Sequence, residues 1–235
     1  MVRIEGKLVE GTLVVRDNRF LVTVDVEGER VWAHLADRGR LTELLVPGRR
    51  LVLVERRAMH RKTDYDVSLI EYNGVWVSLD TRLPNKLVGE AIEAGVIGQV
   101  TGYTSVRREV TKGKSRFDFL LEAGGRAPCL LEVKSASLVI DDVACFPDAV
   151  TARGRRHVLE LADAVAEGYR AVVVFVVQRA DARGLRPEDE TDPEFGEALR
   201  EAAARGVEVY AYGCDVEPGR VEIVRPLPVH LAPAH

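Results

Sequence analysis

Three ionisable residues stand where an apolar strand pattern has little use for charge. Asp118 lies within Phe117-Asp118-Phe119-Leu120-Leu121, and Glu132 and Lys134 lie within Leu130-Leu131-Glu132-Val133-Lys134. Residues two apart on a strand share a face, so Glu132 and Lys134 point one way and Leu131 and Val133 the other. An unpaired charge in such surroundings costs on the order of several kcal/mol, so all three need compensation. Two carboxylates that share a divalent cation, with an ammonium beside them, supply it. Hard oxygen ligands suit Mg2+ or Mn2+. A cation held there can polarise a phosphodiester and acidify water, while Lys134 orients or deprotonates that water or neutralises developing charge. A purely structural arrangement fits the same spacing: a salt-bridged edge strand with Lys134 pairing Glu132 or Asp118. Carboxylate-x-Lys by itself recurs by chance in many proteins.

Further candidates lie around this core. Glu90 is on a predicted helix, near its apolar stripe, where it can complete a metal's shell or remain an ordinary surface glutamate. Arg153 and His157 are four apart on another predicted helix and share a face, where they can bind phosphate or, for His157, move a proton. His34, Asp37, Arg38, Gly39 and Arg40 form a polar break that reads as a loop contacting nucleic acid or the second domain, or as a simple turn. Trp32 and Trp76 alternate with apolar neighbours, which suits packing by default and base stacking as the alternative. Phosphate-loop, dinucleotide-binding and serine-elbow motifs are absent.

The elements that must position these residues fall into two groups. Short Val- and Leu-rich stretches at 7–16, 19–26, 29–35, 51–57, 65–72 and 75–80 read as strands, punctuated by turns such as Asn73-Gly74. Five or six strands in about 80 residues predict a small closed or partly open β-barrel over 1–82, such as an OB-fold, which is suited to nucleic acid; an SH3-like barrel would show much the same pattern. From residue 83 the pattern changes. A helix from Pro84 towards Gly95 is followed by strands at 106–110, 117–122 and 129–134, and a helix over 149–167. A strand at 171–178, a helix at 193–205 and a strand at 207–212 complete the domain. The order predicts a mixed sheet flanked by helices over 83–235, an α/β unit in a chain that is α+β overall. The segment 179–192 reads as a polar, mobile connection, and 226–235, with its three prolines, as irregular.

Composition bounds the rest. The 235-residue chain carries a net charge of −4, so it is not a polycation overall. Cations are nevertheless clustered: Arg49, Arg50, Arg56, Arg57, Arg61 and Lys62 against Glu55, and Arg107, Arg108, Lys112, Lys114 and Arg116 against Glu109. Such runs can meet phosphates or form a solvated face. Three cysteines without a CxxC pair argue against a disulfide framework or zinc knuckle. No apolar run spans a membrane and no signal-peptide core opens the chain, which places the protein in the cytoplasm without a membrane partner. A homodimer is left open.

Taken in order, Phe117-Asp118-Phe119-Leu120, Leu131-Glu132-Val133-Lys134-Ser135 and Phe146-Pro147-Asp148-Ala149-Val150-Thr151-Ala152-Arg153-Gly154 with His157 resemble the sugar fermentation stimulation protein A family. The resemblance extends through Pro84-Asn85-Lys86-Leu87, Glu90-Ala91-Ile92, Gly39-Arg40-Leu41 and Pro47-Gly48, and so covers nearly the whole chain. It implies an N-terminal OB-fold and a C-terminal domain of the PD-(D/E)XK nuclease superfamily acting on DNA or RNA. It also implies that Asp118, Glu132 and Lys134 fill the metal-binding and catalytic positions, with Glu90 as the helical glutamate. Phe117 stands where the superfamily's name has proline. The expected activity is therefore a Mg2+- or Mn2+-dependent nuclease, with Glu90, Asp118 and Glu132 on the metal and Arg40, Arg116, Arg153 and His157 on the substrate. The competing readings are a non-cleaving DNA-binding regulator of sugar metabolism on the same fold, and an interaction module whose acidic cluster is structural.

Overall fold

The structure, a computed structural model, describes residues 1–56, 59 and 61–233. A short strand, β1 (Val2–Arg3), precedes β2 (Leu8–Asn18), β3 (Leu21–Val26), β4 (Glu29–His34), β5 (Arg50–Glu55), β6 (Tyr65–Tyr72) and β7 (Val75–Ser78). Alternation turns Leu13, Val22, Val24, Ala33, Leu53 and Val67 into a common core. The strands run β4-β3-β2-β5-β6-β7, and parallel pairing of Ala33 with Tyr65 and His34 with Asp66 closes β2–β6 into the OB-like barrel. The β6–β7 turn holds Asn73 at φ +51° and Gly74 at φ +81°, the two positive values a type I′ hairpin needs.

The second half begins with α1 (Leu83–Glu93), which has proline in its first turn. It continues through β8 (Ser105–Lys112), β9 (Ser115–Glu122), β10 (Cys129–Ala136), β11 (Val139–Ile140), β12 (Val143–Phe146) and α2 (Ala152–Ala166). It closes with β13 (Arg170–Val177), β14 (Gly184–Pro187), α3 (Pro193–Ala204), β15 (Glu208–Glu217) and β16 (Arg220–Leu227). Seven strands form a mixed sheet in the order β1-β16-β15-β13-β10-β9-β8, in which β10, β13 and β15 are parallel neighbours. The N-terminal strand thus lies in the second sheet, antiparallel to β16. Leu87 and Val88 of α1 cover one face together with Val52 and Leu69 of the barrel; Val158 and Leu161 of α2 and Phe195 and Leu199 of α3 cover the other. No helix among the described residues is long and apolar enough to cross a membrane.

The long helix starts at Ala152, three residues later than the pattern predicts, because Thr151 caps it by accepting from the Gly154 N–H at 3.1 Å. The connection at 179–192 is not loose. β14 within it pairs parallel with β12, and Arg179 is 1% exposed, its guanidinium held by Asp181 at 2.6 and 2.7 Å and by the Ser137 carbonyl at 3.0 Å. Nor is the tail irregular from 226: β16 runs to Leu227. Pro226 is tolerated because that end of β16 pairs only with β15, β1 meeting it at Arg220 and Val221. The barrel is pinned to the second sheet by Ser78 N–H donating to the Gln178 carbonyl at 3.0 Å and by Arg179 lying 4.9 Å above the Tyr72 ring.

Candidate active site

The site is built on a fork between two strands. β9 and β10 pair only at Cys129–Leu121, Leu130–Leu120 and Leu131–Phe119, although β10 continues to Ala136. Beyond that point Asp118 takes the place of the ladder: its Oδ2 accepts from the Val133 N–H at 2.7 Å. The period-two alternation of β9 breaks here, since Phe117 belongs to the core beneath α2 and Phe119 to the core beneath α1. Asp118 is consequently reached from both sides, and its Oδ1 accepts from Asn85 Nδ2 on α1 at 2.6 Å.

Regular alternation on β10 turns Glu132 and Lys134 to the α2 face. Lys134 Nζ donates to Glu132 Oε1 at 2.7 Å, and His157 Nδ1 meets the same oxygen at 2.6 Å. Arg153 Nε donates to His157 Nε2 at 3.3 Å. If Nε2 accepts, Nδ1 carries the proton and donates to Glu132, which fixes the tautomer of the chain Arg153–His157–Glu132. An edge contact with Phe117, 5.8 Å between centroids, holds the imidazole plane.

Electrostatics separates the two carboxylates. Burial, and then the charge of Glu132, push the Asp118 carboxyl up to about 6, against the Val133 N–H and Asn85. Burial also works on Glu132, but the hydrogen bond from His157 and the ammonium of Lys134 outweigh it and hold Glu132 below the ordinary range. Glu132 is 4% exposed and its Oε2 is buried with no hydrogen-bond partner. The Lys134–Glu132 pair is what a purely structural reading requires. That reading leaves unexplained a buried carboxylate oxygen without a donor and a second carboxylate raised by its neighbour. A hard divalent cation would answer both, and Asp118 and Glu132 offer it two carboxylates, although among the described residues no group of three or more His, Cys, Asp or Glu side chains is arranged to hold a metal.

The structure redistributes the other expected residues. Glu90 does not join the cluster: it is half exposed and its Oε2 lies 3.2 Å from the Met1 amine. Five residues along α1 turn it about 140° away from Asn85, the side chain that does reach Asp118. Asn85 is the functional residue that sequence reasoning passed over. His157 is 2% exposed with both ring nitrogens engaged, so it positions Glu132 and does not face substrate. Arg153 remains exposed beside it. Arg40 is a strut, donating to the Asp148 carbonyl at 2.9 Å and to Thr191 Oγ1, while the Leu41 N–H donates to Asp148 Oδ2 at 2.7 Å. Gly39 beside it leaves no room for a side chain, because Asp148 Oδ2 lies 2.5 Å from where a Cβ would stand. Arg116 is exposed and paired with Glu109 at 2.7 Å.

Most cations of the two basic runs also have partners. Arg50 meets Glu10 and Glu71, Arg56 and Arg61 meet Asp66, Arg107 meets Glu122 and Lys112 meets Glu167. Arg57 lies outside the described residues. The pairs with Asp66 are buried on the carboxylate side and structural, whereas exposed pairs such as Arg50–Glu10 and Arg107–Glu122 are worth little and exchange readily for phosphate.

Comparison with known proteins agrees with this architecture. The family model for the "Sugar fermentation stimulation protein RE domain" matches residues 82–220, and that for the "SfsA N-terminal OB domain" matches residues 14–79. A sugar fermentation stimulation protein homolog of Moorella thermoacetica is 49% identical over 232 residues, covering 98% of this chain and 100% of that one. A homolog of Chloroflexus aurantiacus is 47% identical, covering 94% and 85% respectively. The solved structure of Pyrococcus furiosus SfsA in complex with Ca2+ superposes with a TM-score of 0.88 at 30% identity, covering 98% of this chain and 100% of that one. The chain belongs to the sugar fermentation stimulation protein family.

Proposed function

We propose that this protein is a divalent-metal-dependent phosphodiesterase acting on DNA or RNA, with Mg2+ or Mn2+ as its cofactor. The observation that carries the reading is the buried, unpartnered Oε2 of Glu132 in a cluster where two carboxylates meet one ammonium. A relative of the same fold described in complex with Ca2+, another hard cation that prefers oxygen ligands, supports it. The chemistry such a cation supplies is Lewis acidity: it stabilises charge on phosphate oxygens and acidifies water.

The chain's own residues do the rest. Asn85 and the Val133 N–H fix the Asp118 carboxylate, and His157 fixes that of Glu132, so both are oriented before substrate arrives. Lys134, 11% exposed, places an ammonium beside Glu132, where it orients the attacking water or neutralises charge on the phosphorane. Exposed Arg153 offers its guanidinium to the scissile phosphate. Water adds to phosphorus, one ester P–O bond breaks, and the leaving oxygen takes up a proton. Three buried, unbridged thiols, raised to about 12 chiefly by burial, suit a reducing cytoplasmic setting.

The test is cleavage of labelled single- and double-stranded DNA and RNA with Mg2+, Mn2+ or EDTA. Metal-dependent cutting, lowered at least about a hundredfold in Glu132→Ala and Lys134→Ala, is expected. Full cutting in EDTA or in Lys134→Ala would overturn the mechanism. No cutting by the wild type under any condition, with binding intact, would favour the non-cleaving DNA-binding regulator.

A further inference from the structure

The barrel carries a surface that folding does not require. Trp32 on β4 is 60% exposed and Phe20, at the β2–β3 turn, is 45% exposed, while the neighbouring Ala33 and Val22 fill the barrel core. The two rings share a groove of about 520 Å³ with Leu21, His34, Arg61 and Lys62. The Arg38 guanidinium lies 5.0 Å above the Phe20 ring. Exposed aromatic faces rimmed by cations are complementary to a ligand that is flat and apolar along one edge and anionic along the other.

A residue next to the groove also lines a second cleft, which reaches the end of β10. Asn18 and Phe20 line the groove, and Arg19 between them lines that cleft, of about 330 Å³, together with Arg38 and with Ser135, the residue after Lys134. The acidic groups in that cleft are already tied down: Asp37 accepts from the Gly39 N–H at 2.8 Å and Asp148 from the Leu41 N–H at 2.7 Å. A strand with bases on Trp32 and Phe20 would therefore have Arg38 and Arg19 within reach of its phosphates, beside the cleft at the end of β10.

We infer that Trp32 and Phe20 form a base-stacking platform that delivers an unpaired nucleic-acid strand to the Asp118–Glu132–Lys134 site. The occupant is single-stranded because bases in a duplex are stacked on one another and present no free face to a side chain. The inference rests on the nucleic-acid reading above and specifies its substrate class.

Binding is measured in EDTA, so that cleavage plays no part, with fluorescently labelled twelve-nucleotide oligothymidylate and oligouridylate and with a hairpin duplex. The wild type should bind the unpaired strands more tightly than the duplex, and the two oligonucleotides together identify the preferred sugar. Trp32→Ala and Phe20→Ala should each weaken that binding about tenfold, and the double variant about a hundredfold, with unchanged thermal midpoints. Trp32→Tyr keeps an aromatic face and should stay close to wild type. Unchanged affinity in the double alanine variant, or tighter binding of duplex than of unpaired strands, would overturn the platform. Wild-type cleavage with Mg2+ or Mn2+, measured alongside, tests the nuclease reading on its own. Loss of the platform and loss of the nuclease reading are thereby told apart.

Discussion

The barrel and the α/β domain each hold an aspartate in an apolar strand, Asp66 buried and Asp118 partly buried, and the two are treated in opposite ways. Asp66 on β6 is 3% exposed and is ringed by three arginines, Arg61 in contact, Arg82 at 3.5 Å and Arg56 at 3.7 Å, with the imidazole of His34 at 3.5 Å. Positive charge there exceeds negative, and the carboxylate binds strand β6 to the loop after β5 and to the approach to α1. Asp118 has the reverse balance. Its partners are a neutral amide and a backbone N–H, the charge acting on it most strongly is another carboxylate, and the ammonium of Lys134 is paired with that neighbour. Asp66 is satisfied as folded, whereas the Asp118–Glu132 pair leaves one buried carboxylate oxygen unpartnered and one carboxyl raised by its neighbour.

The largest test of this contrast is to remove the charge at the fork. The Asp118 carboxyl is raised from 3.8 to about 6, a difference worth about 3 kcal/mol. A group whose pKa is raised by folding contributes its stability fully below the unfolded value and loses it as pH climbs through the folded one. In EDTA, then, the wild type should lose up to about 3 kcal/mol between pH 4 and pH 7 relative to Asp118→Asn. The comparison is made by urea denaturation at both pH values. Added Mg2+ should restore stability to the wild type only. An Asp118→Asn protein less stable than wild type at pH 8 without metal would mean that the fork is satisfied as folded after all.

At the barrel the sign reverses. Asp66→Asn should destabilise by about 2 kcal/mol, since it removes charge-assisted hydrogen bonds from arginines exposed enough to relax partly towards water. Metal should make no difference to this variant's loss. Protein as stable as wild type in urea would show the arginine ring to be ornamental.

How far this contrast could be read from sequence is uneven. An aspartate inside an apolar strand marks both positions, yet only Asp118 stood out, because Glu132 and Lys134 lie on an adjacent strand and share its pattern. The compensators of Asp66 come from residues 34, 56, 61 and 82, scattered through loops and strand ends, and no local pattern joins them. Barrel strands and the three helices were legible through alternation and helical periodicity. The strand around Leu185 was not, because its flanking residues are polar and its pairing partner, β12, is 41 residues distant in sequence. Asn85 was hidden by its lack of charge, and its only signal was membership of the Pro84-Asn85-Lys86-Leu87 run. Glu90 drew attention by being charged, but a helix fixes direction as well as proximity, and five residues send it to another face.

A smaller effect probes how the open site is held. His157→Ala removes the donor to Glu132 Oε1 without touching substrate, and should lower metal-dependent cleavage by about 10- to 100-fold. Metal affinity, followed by the Mg2+ or Mn2+ concentration giving half-maximal rate, should weaken with it. His157→Gln, which can offer an amide N–H, should recover part of both. An unchanged metal requirement would assign His157 to packing against Phe117 alone.

The smallest expected change separates an open site from its decorated rim. Arg116 stands two residues before Asp118 on β9, 62% exposed, and pairs with Glu109, itself half exposed at φ +56°. Such a pair contributes at most about 0.5 kcal/mol, so Arg116→Ala should leave the urea midpoint in place. If the guanidinium exchanges Glu109 for a phosphate when nucleic acid binds, the variant's plot of log affinity against log salt should flatten by about one unit. Because Glu109 competes with phosphate for the Arg116 guanidinium, Glu109→Ala should strengthen binding slightly in the same assay, and the double variant should bind no more weakly than Arg116→Ala. A salt slope unaltered by Arg116→Ala would place the incoming strand away from the β8–β9 edge, leaving the Arg38 side of the cleft as its approach to Lys134.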